Sequence, residues 1–358
     1  MNTHYPLLLL LGTLFVSACS SSDGDSDVPI DSPNETVTPE PSTENSILEA
    51  DTNSLATIGC QNVVILNEFA YAACGNGIEI VDLNSLERNF LSQPADDISG
   101  DANLGVLFTQ SGNTLQQFTL DDPLAPTPVN TVNTNFLIFS GIASANGILA
   151  ISGGSGGSNT EVFTYTATSI SIALTGIPLV DNRTGNPDVH IAATNNGATA
   201  FYSQDLGSVA NWGIQTVELD TAGNILALPN VAVLTPGFFS QSFGVPFGPA
   251  NFPIESEFLN DRLYVAHFAA NGIEVIDTTT SNVLSPITLG YEPTNITTDG
   301  TQLFVVSVTR NTVDTINPIT ETIVDSITLP LQQPIGIAAN PTHIAIADRS
   351  AGLIIATR

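Results

Sequence analysis

The sequence predicts an all-β fold, a β-propeller most simply built as seven blades of four antiparallel strands, and three observations carry that prediction. The segment NGIEIVD at residues 76–82 returns as NGIEVID at residues 271–277. Three C-terminal stretches, residues 260–289, 299–329 and 340–358, place Leu263, Leu303 and Ile344 at matching points about forty residues apart. Within each stretch, short runs of β-branched and aromatic residues alternate with Asn-Gly, Asp-Gly and Asn-Pro pairs, which reads as strand, turn, strand, turn, strand. A period near forty with four strands per unit is the signature of a propeller blade.

Taken in order, the units fall at about residues 60–93, 98–133, 141–180, 189–235, 254–290, 294–330 and 335–358. The fourth is oversized and leads into a Phe-, Pro- and Gly-rich insert, residues 236–253, whose phenylalanines, with Trp212, would cap one channel end or pack within their own loop. The seventh stops after its third strand. NSLATIG (53–59) precedes the first inner strand much as DSITLP (325–330) precedes the seventh, so residues 54–58 are expected to supply the outer strand of the last blade. Closure of that kind removes an unpaired sheet edge. The middle units diverge, and six or eight blades remain compatible with them. Proline-bearing links, GYEPTNI (290–296) and LQQPIGI (331–337), join the clearest units. These units resemble the YVTN family of propeller repeats, and the NGIEIVD copies resemble the related LVIVD repeat. The resemblance implies a propeller scaffold and no single chemistry, because propellers host many activities.

The chain begins MNTHYPLLLLLGTLFVSAC. Its apolar run from Leu7 to Val16 is too short for a membrane-spanning helix and matches the core of an export signal. Val16-Ser17-Ala18-Cys19 resembles the lipobox of bacterial lipoproteins, which implies cleavage of residues 1–18 and lipidation of Cys19. An ordinary signal peptide cut after Ala18 would leave that thiol free. Residues 19–46 are rich in Asp, Glu, Ser, Thr and Pro and nearly devoid of large apolar side chains, so they are expected to form a disordered, self-repelling tether. The folded domain would then span residues 47–358. In lipoproteins of this kind Asp after the lipidated cysteine favours retention at the inner membrane. Ser20 stands there and points to the outer membrane.

The chain holds 35 acidic residues against six basic ones, for a formal net charge of −29, and every basic residue is arginine. That field repels phosphate backbones and argues against nucleic-acid partners. The absence of lysine excludes Walker A loops, Schiff-base chemistry and lysine general bases. SGGSGGSNT (152–160) lacks the Lys-Ser/Thr of a phosphate loop and reads as a hairpin loop. No Gly-x-Ser-x-Gly elbow stands between a strand and a helix, and HExxH, paired CxxC and EF-hand patterns are missing. Cys60 and Cys74 flank a hairpin centred near Asn67 and Glu68. Antiparallel pairing would set them opposite each other, as a disulfide in an oxidising compartment or as two buried thiols.

Propellers bind ligands at the channel mouth, where inner strands begin. Aligning the units there brings together Asp97, Gly141, His190, Asn295 and Gly336, with Glu255 nearby. The set Asp97, His190, Glu255 and Asn295 offers the oxygen and nitrogen ligands of a divalent cation, as in propeller lactonases whose metal polarises a carbonyl and activates water. A solvent-filled channel with a polar rim gives the same pattern without any metal. Glu79 and Glu274, repeated inside the heptapeptides, read as equivalent packing positions facing an arginine. Two functions are therefore expected from the sequence. One is a lipid-anchored, monomeric envelope module binding a protein or glycan; the other is a periplasmic metal-assisted lactonase.

Overall fold

The computed structural model describes residues 59–134, 139–154, 158–175, 189–205, 212–226, 230–232, 253–267, 271–280, 282–307 and 309–358. The signal segment, Cys19, the tether, the expected closing strand at 54–58 and the insert at 236–252 all lie outside these residues. So does the side chain of Trp212.

Local turn chemistry breaks the apolar runs into hairpins. Asn67, Asn146, Asn260 and Asp261 hold φ of 55, 53, 53 and 58° between first and second strands, and Asn271 and Asn311 hold 52 and 54° between second and third. Short Asx side chains tolerate this left-handed region where β-branched residues do not. The two heptapeptides use their Asn-Gly pair differently. In the first, Cys74 pairs with Gly77 and Gly75 takes the positive φ of 47°; in the second, Asn271 itself takes it. The aspartates that end the heptapeptides cap the next turn: Asp82 Oδ1 accepts from the Asn84 N–H at 2.8 Å, and Asp277 Oδ1 from the Thr279 N–H at 2.8 Å. Asp220 and Asn317 repeat the device in two other blades.

Among the described residues, 28 strands, numbered β1 to β28 in chain order, form seven antiparallel sheets. The inner strands are β1 (Cys60–Leu66), β5 (Asp97–Asp101), β9 (Phe139–Ala145), β13 (Val189–Thr194), β17 (Pro253–Leu259), β22 (Asn295–Thr298) and β26 (Pro334–Ala339). Each packs beside the next and β26 packs beside β1, so the ring closes at seven blades.

Five of the sheets have the expected four strands. In blade 5 the outer edge is split into β20 (Asn282–Val283) and β21 (Ile287–Thr288), both paired with β19 (Gly272–Asp277). Pro286 lies between them and cannot donate to a ladder. Blade 7 has three described strands, β26, β27 (His343–Asp348) and β28 (Gly352–Thr357). The Gly59 N–H donates to the Arg349 carbonyl at 2.9 Å, which brings the chain beside this blade just before β1 begins.

The core lies between blades. In β3 (Gly77–Asp82), Ile78 and Ile80 pack toward blade 2 with Leu107 and Phe118. Val81 packs the other way, toward Ala345, Ala347 and Leu353 of blade 7. Both faces of each sheet are covered, which is why these strands read as continuous apolar runs. Each fully buried aliphatic side chain contributes about 1.5–3 kcal/mol.

Candidate functional site at the channel mouth

Each inner strand brings one register-equivalent residue to the rim, a polar side chain in five blades and a glycine in two. A bulge at Gln61, Ser140, Ile254 and Ile335 interrupts the first pairing of β1, β9, β17 and β26. Such a bulge re-aims the residues that follow it. The equivalent rim positions, fixed by register, are Asn62, Asp97, Gly141, His190, Glu255, Asn295 and Gly336. Register thus makes the six positions aligned from the sequence equivalent and adds Asn62 as the seventh.

The geometry of the ring differs from a metal centre. The Asn62 side-chain amide donates to Asp97 Oδ1 at 2.6 Å, across the gap between blades 1 and 2. Asp97 Oδ1 also accepts from the Ile98 N–H at 2.8 Å. Asn295 donates to Glu255 Oε2 at 2.6 Å in the preceding blade and to the Ile335 carbonyl at 2.7 Å in the following one. Asp97, His190, Glu255 and Asn295 thus share a rim but not a point. Among the described residues, the sole trio of His, Cys, Asp or Glu with ligand atoms within 4.8 Å is Cys60, Cys74 and Glu79. The physical reason is that equivalent positions are spread around a ring, and the amides of Asn62 and Asn295 are turned toward neighbouring blades, where they hold Asp97, Glu255 and the Ile335 carbonyl.

Burial sets the protonation of two of these groups. Desolvation lifts Asp97 to about 6, against the opposing hydrogen bonds from Asn62 and the backbone N–H groups of Ile98 and Ile142. Desolvation lowers His190 to about 4. Its imidazole is therefore neutral at pH 7, and the 4.0 Å approach of Nε2 to Glu257 Oε2 is not an ion pair there. The ring lies tilted by 35° to that of Phe201, with centroids 6.4 Å apart, and Phe201 stacks on Phe258 at 5.5 Å.

Below the rim runs a central cavity of about 260 Å³. Among the described residues its titratable lining is His190, Glu255 and Glu257, and the Thr297 hydroxyl lies 3.4 Å from Glu257 Oε1. Glu257 was missed in the sequence, although its place two residues after Glu255 on the same strand puts both on one face.

Cys60 and Cys74 are joined by a disulfide, fully buried at the seam between blades 1 and 7. The repeated glutamates part company. Glu79 meets Arg88 at 2.5 Å, whereas both carboxyl oxygens of fully buried Glu274 lack a hydrogen-bond partner. His343 sits in a turn, its N–H bonded to Asn340 Oδ1 at 2.7 Å.

No family model matches the chain, and no curated protein matches it. Solved structures do. Hydrazine synthase of Kuenenia stuttgartiensis superimposes with a TM-score of 0.62 and 10% identity, over 86% of this chain and 98% of that one. Virginiamycin B lyase of Staphylococcus aureus gives 0.58 and 16%, over 84% and 96%. Sqt1 of Saccharomyces cerevisiae gives 0.56 and 11%, over 84% and 96%. Likeness at such identities concerns the fold alone: the chain is similar to these proteins as a seven-bladed β-propeller.

Proposed function

We propose that this chain is a lipid-anchored envelope propeller of YVTN/LVIVD type that works as a binding or scaffolding module for a protein or glycan partner. The observation that carries the binding role is the outer strand of blade 6, β25 (Thr322–Thr328), which closes its sheet on one side only. Ile323 and Val324 on that strand are 39% and 52% exposed, and Ile319 in the turn before it is 84% exposed. Val324 is the extra residue of a bulge between Ile323 and Asp325. The bulge and the exposed Asp325 protect this edge against indiscriminate strand pairing, and the apolar side chains grouped beside them mark a surface that gains by being covered. A protein partner adding a strand or an apolar face fits this edge better than a glycan does. The lipobox-like Val16-Ser17-Ala18-Cys19, followed by Ser20, supports an outer-membrane anchor, and the acidic tether supports a module held clear of the bilayer.

The test is site-specific photocrosslinking in intact cells from position 323. A discrete adduct, lost in Ile319→Asp and Val324→Asp chains that keep the parental melting temperature, supports the reading. Crosslinking that is diffuse and indifferent to those substitutions counts against it. Metabolic labelling with a fatty acid, abolished by Cys19→Ala, tests the anchor separately.

A further inference from the structure

At the end of the inner strands opposite the channel mouth, a second cavity of about 580 Å³ lies where the first turns of blades 3, 4 and 5 come together. Eight of its twelve described lining residues are polar, and the other four are two alanines and the pair Phe201 and Phe258. That mixture suits a ligand with both hydroxyl groups and an apolar face. The groove is already braced. The Asn146 side-chain amide donates to the Thr194 and Gly197 carbonyls at 3.2 and 2.9 Å, tying blade 3 to the turn of blade 4. The Asp261 carbonyl accepts from the N–H and the hydroxyl of Thr278 at 3.0 and 2.9 Å, which holds the turn of blade 5. Buried Phe201 backs the ring of Phe258, stacked at 5.5 Å and 20° from parallel, and Phe258 is partly exposed.

From this geometry we infer that the groove binds a neutral oligosaccharide, with one pyranose ring against Phe258 and hydroxyl groups meeting Asn195, Thr199, Glu218 and Asp261. Asn195, Glu218 and Asp261 are exposed and Thr199 is partly so, and all four line the groove. A sugar hydroxyl donates one hydrogen bond and accepts others, which matches carboxylates that only accept and Asn and Thr side chains that do both. An amine would use the acceptors alone. The C–H face of a pyranose is apolar and weakly electropositive, and it settles on the negative face of an aromatic ring. Glu218, Asp261 and the formal net charge of −29 repel an anionic ligand. The volume falls within the range of about 300–1,000 Å³ typical of small-ligand pockets and admits about two linked rings. The groove shares no described lining residue with the outer edge of blade 6, so either reading can fail without the other.

The experiment is isothermal titration of the full mature chain, held in a sugar-free detergent, with cellobiose, maltose, lactose, N,N′-diacetylchitobiose and tetramethylammonium chloride. At least one of the disaccharides is expected to bind one to one, and about tenfold more weakly to Glu218→Ala and to Asp261→Gly, each of which removes hydrogen bonds to a charged group. Glu218 is exposed, and glycine adopts the φ of 58° at position 261 without strain, so both variants should keep the parental melting temperature. Failure of all four disaccharides to bind overturns the inference, as does sugar binding that both substitutions leave unchanged. Tetramethylammonium binding that Glu218→Ala abolishes, with no disaccharide bound, also overturns it by assigning the groove to a cation. If one variant does not fold, the other decides the question alone.

Discussion

Gly336 of blade 7 lies so close to Asn62 of blade 1 that a Cβ added to it would stand 2.9 Å from the Asn62 Cα and 3.2 Å from the Gln61 carbonyl oxygen. Backbone atoms cannot swing away as a side-chain tip can, so the seam where the ring closes depends on the missing methyl. Gly336→Ala is expected to lower stability by about 1–3 kcal/mol through overpacking, read as a drop in the urea midpoint. Gly59→Ala is the contrasting control for space, since nothing lies within 4 Å of its added Cβ. Its cost arises only from the positive φ of 99°.

Asn295 is the other fastener of the rim, because a single amide reaches both the Glu255 carboxylate and the Ile335 carbonyl. Asn295→Leu removes both bonds and leaves Glu255 with one fewer donor beside the channel. A loss of about 2–4 kcal/mol is expected from two hydrogen bonds, one of them to a charged group. Hydrogen exchange should show the loss as faster opening of β22 and β26. Unchanged protection there would mean the clasp carries no load between blades 5, 6 and 7.

Ring architecture and blade limits are legible in the sequence because they rest on local signals that repeat. Asp82 and Asp277 cap turns, Pro286 splits an edge, and Leu263, Leu303 and Ile344 return at blade spacing. The rim was half legible. Register placed Asp97, His190, Glu255 and Asn295 at equivalent positions, but sequence alone does not say whether equivalent side chains meet. In a seven-fold ring they face the next blade instead, so the partners that matter, Asn62 for Asp97 and Asn295 for Glu255, are contacts between repeats and carry no spacing signal. Glu79 and Glu274 make the same point, since nearly identical heptapeptides place one glutamate against Arg88 and bury the other with no hydrogen-bond partner for its carboxyl oxygens.

Ring closure by residues 54–58 is an expectation that truncation tests. A chain beginning at residue 47 should melt cooperatively, whereas one beginning at residue 59 should leave the edge of β28 unpaired and both melt earlier and aggregate. Equal melting temperatures for the two would show that blade 7 is complete without that segment.

The Cys60–Cys74 disulfide spans 14 residues at the seam of blades 1 and 7. Closing a loop of that size in the unfolded chain is worth about 3 kcal/mol in the chain-entropy model. Cys60→Ala with Cys74→Ala is expected to lower stability by about that amount. The native bond is fully buried, so it should resist a dithiol reductant until the protein is partly denatured. Rapid thiol release under native conditions would mean that this seam opens readily.

Glu274 supplies the clearest pH dependence. Burial raises its carboxyl from the ordinary 4.5 to about 8, and neither oxygen has a hydrogen-bond partner. The folded state therefore keeps a proton that the unfolded state gives up across that interval. Its favourable contribution is complete below about pH 4.5 and is lost as pH rises through about 8. Asp97, raised to about 6, acts in the same direction over a narrower window. His190, lowered to about 4, acts oppositely, its contribution being present above its ordinary 6.5 and lost as pH falls. These overlaps make the difference between variant and parent the useful quantity. The matching third-strand positions of blades 4 and 7 hold Val217 and Ile354, aligned by register. Glu274→Val is accordingly expected to stabilise the fold by about 1–3 kcal/mol at neutral pH, with a gain that grows between pH 5 and 9. Glu79→Val should do the reverse, because it strands the half-buried Arg88 guanidinium. Urea titrations of both variants at several pH values check the pair, and a Glu274→Val chain less stable than the parent at pH 9 would show that this carboxylate has a stabilising role.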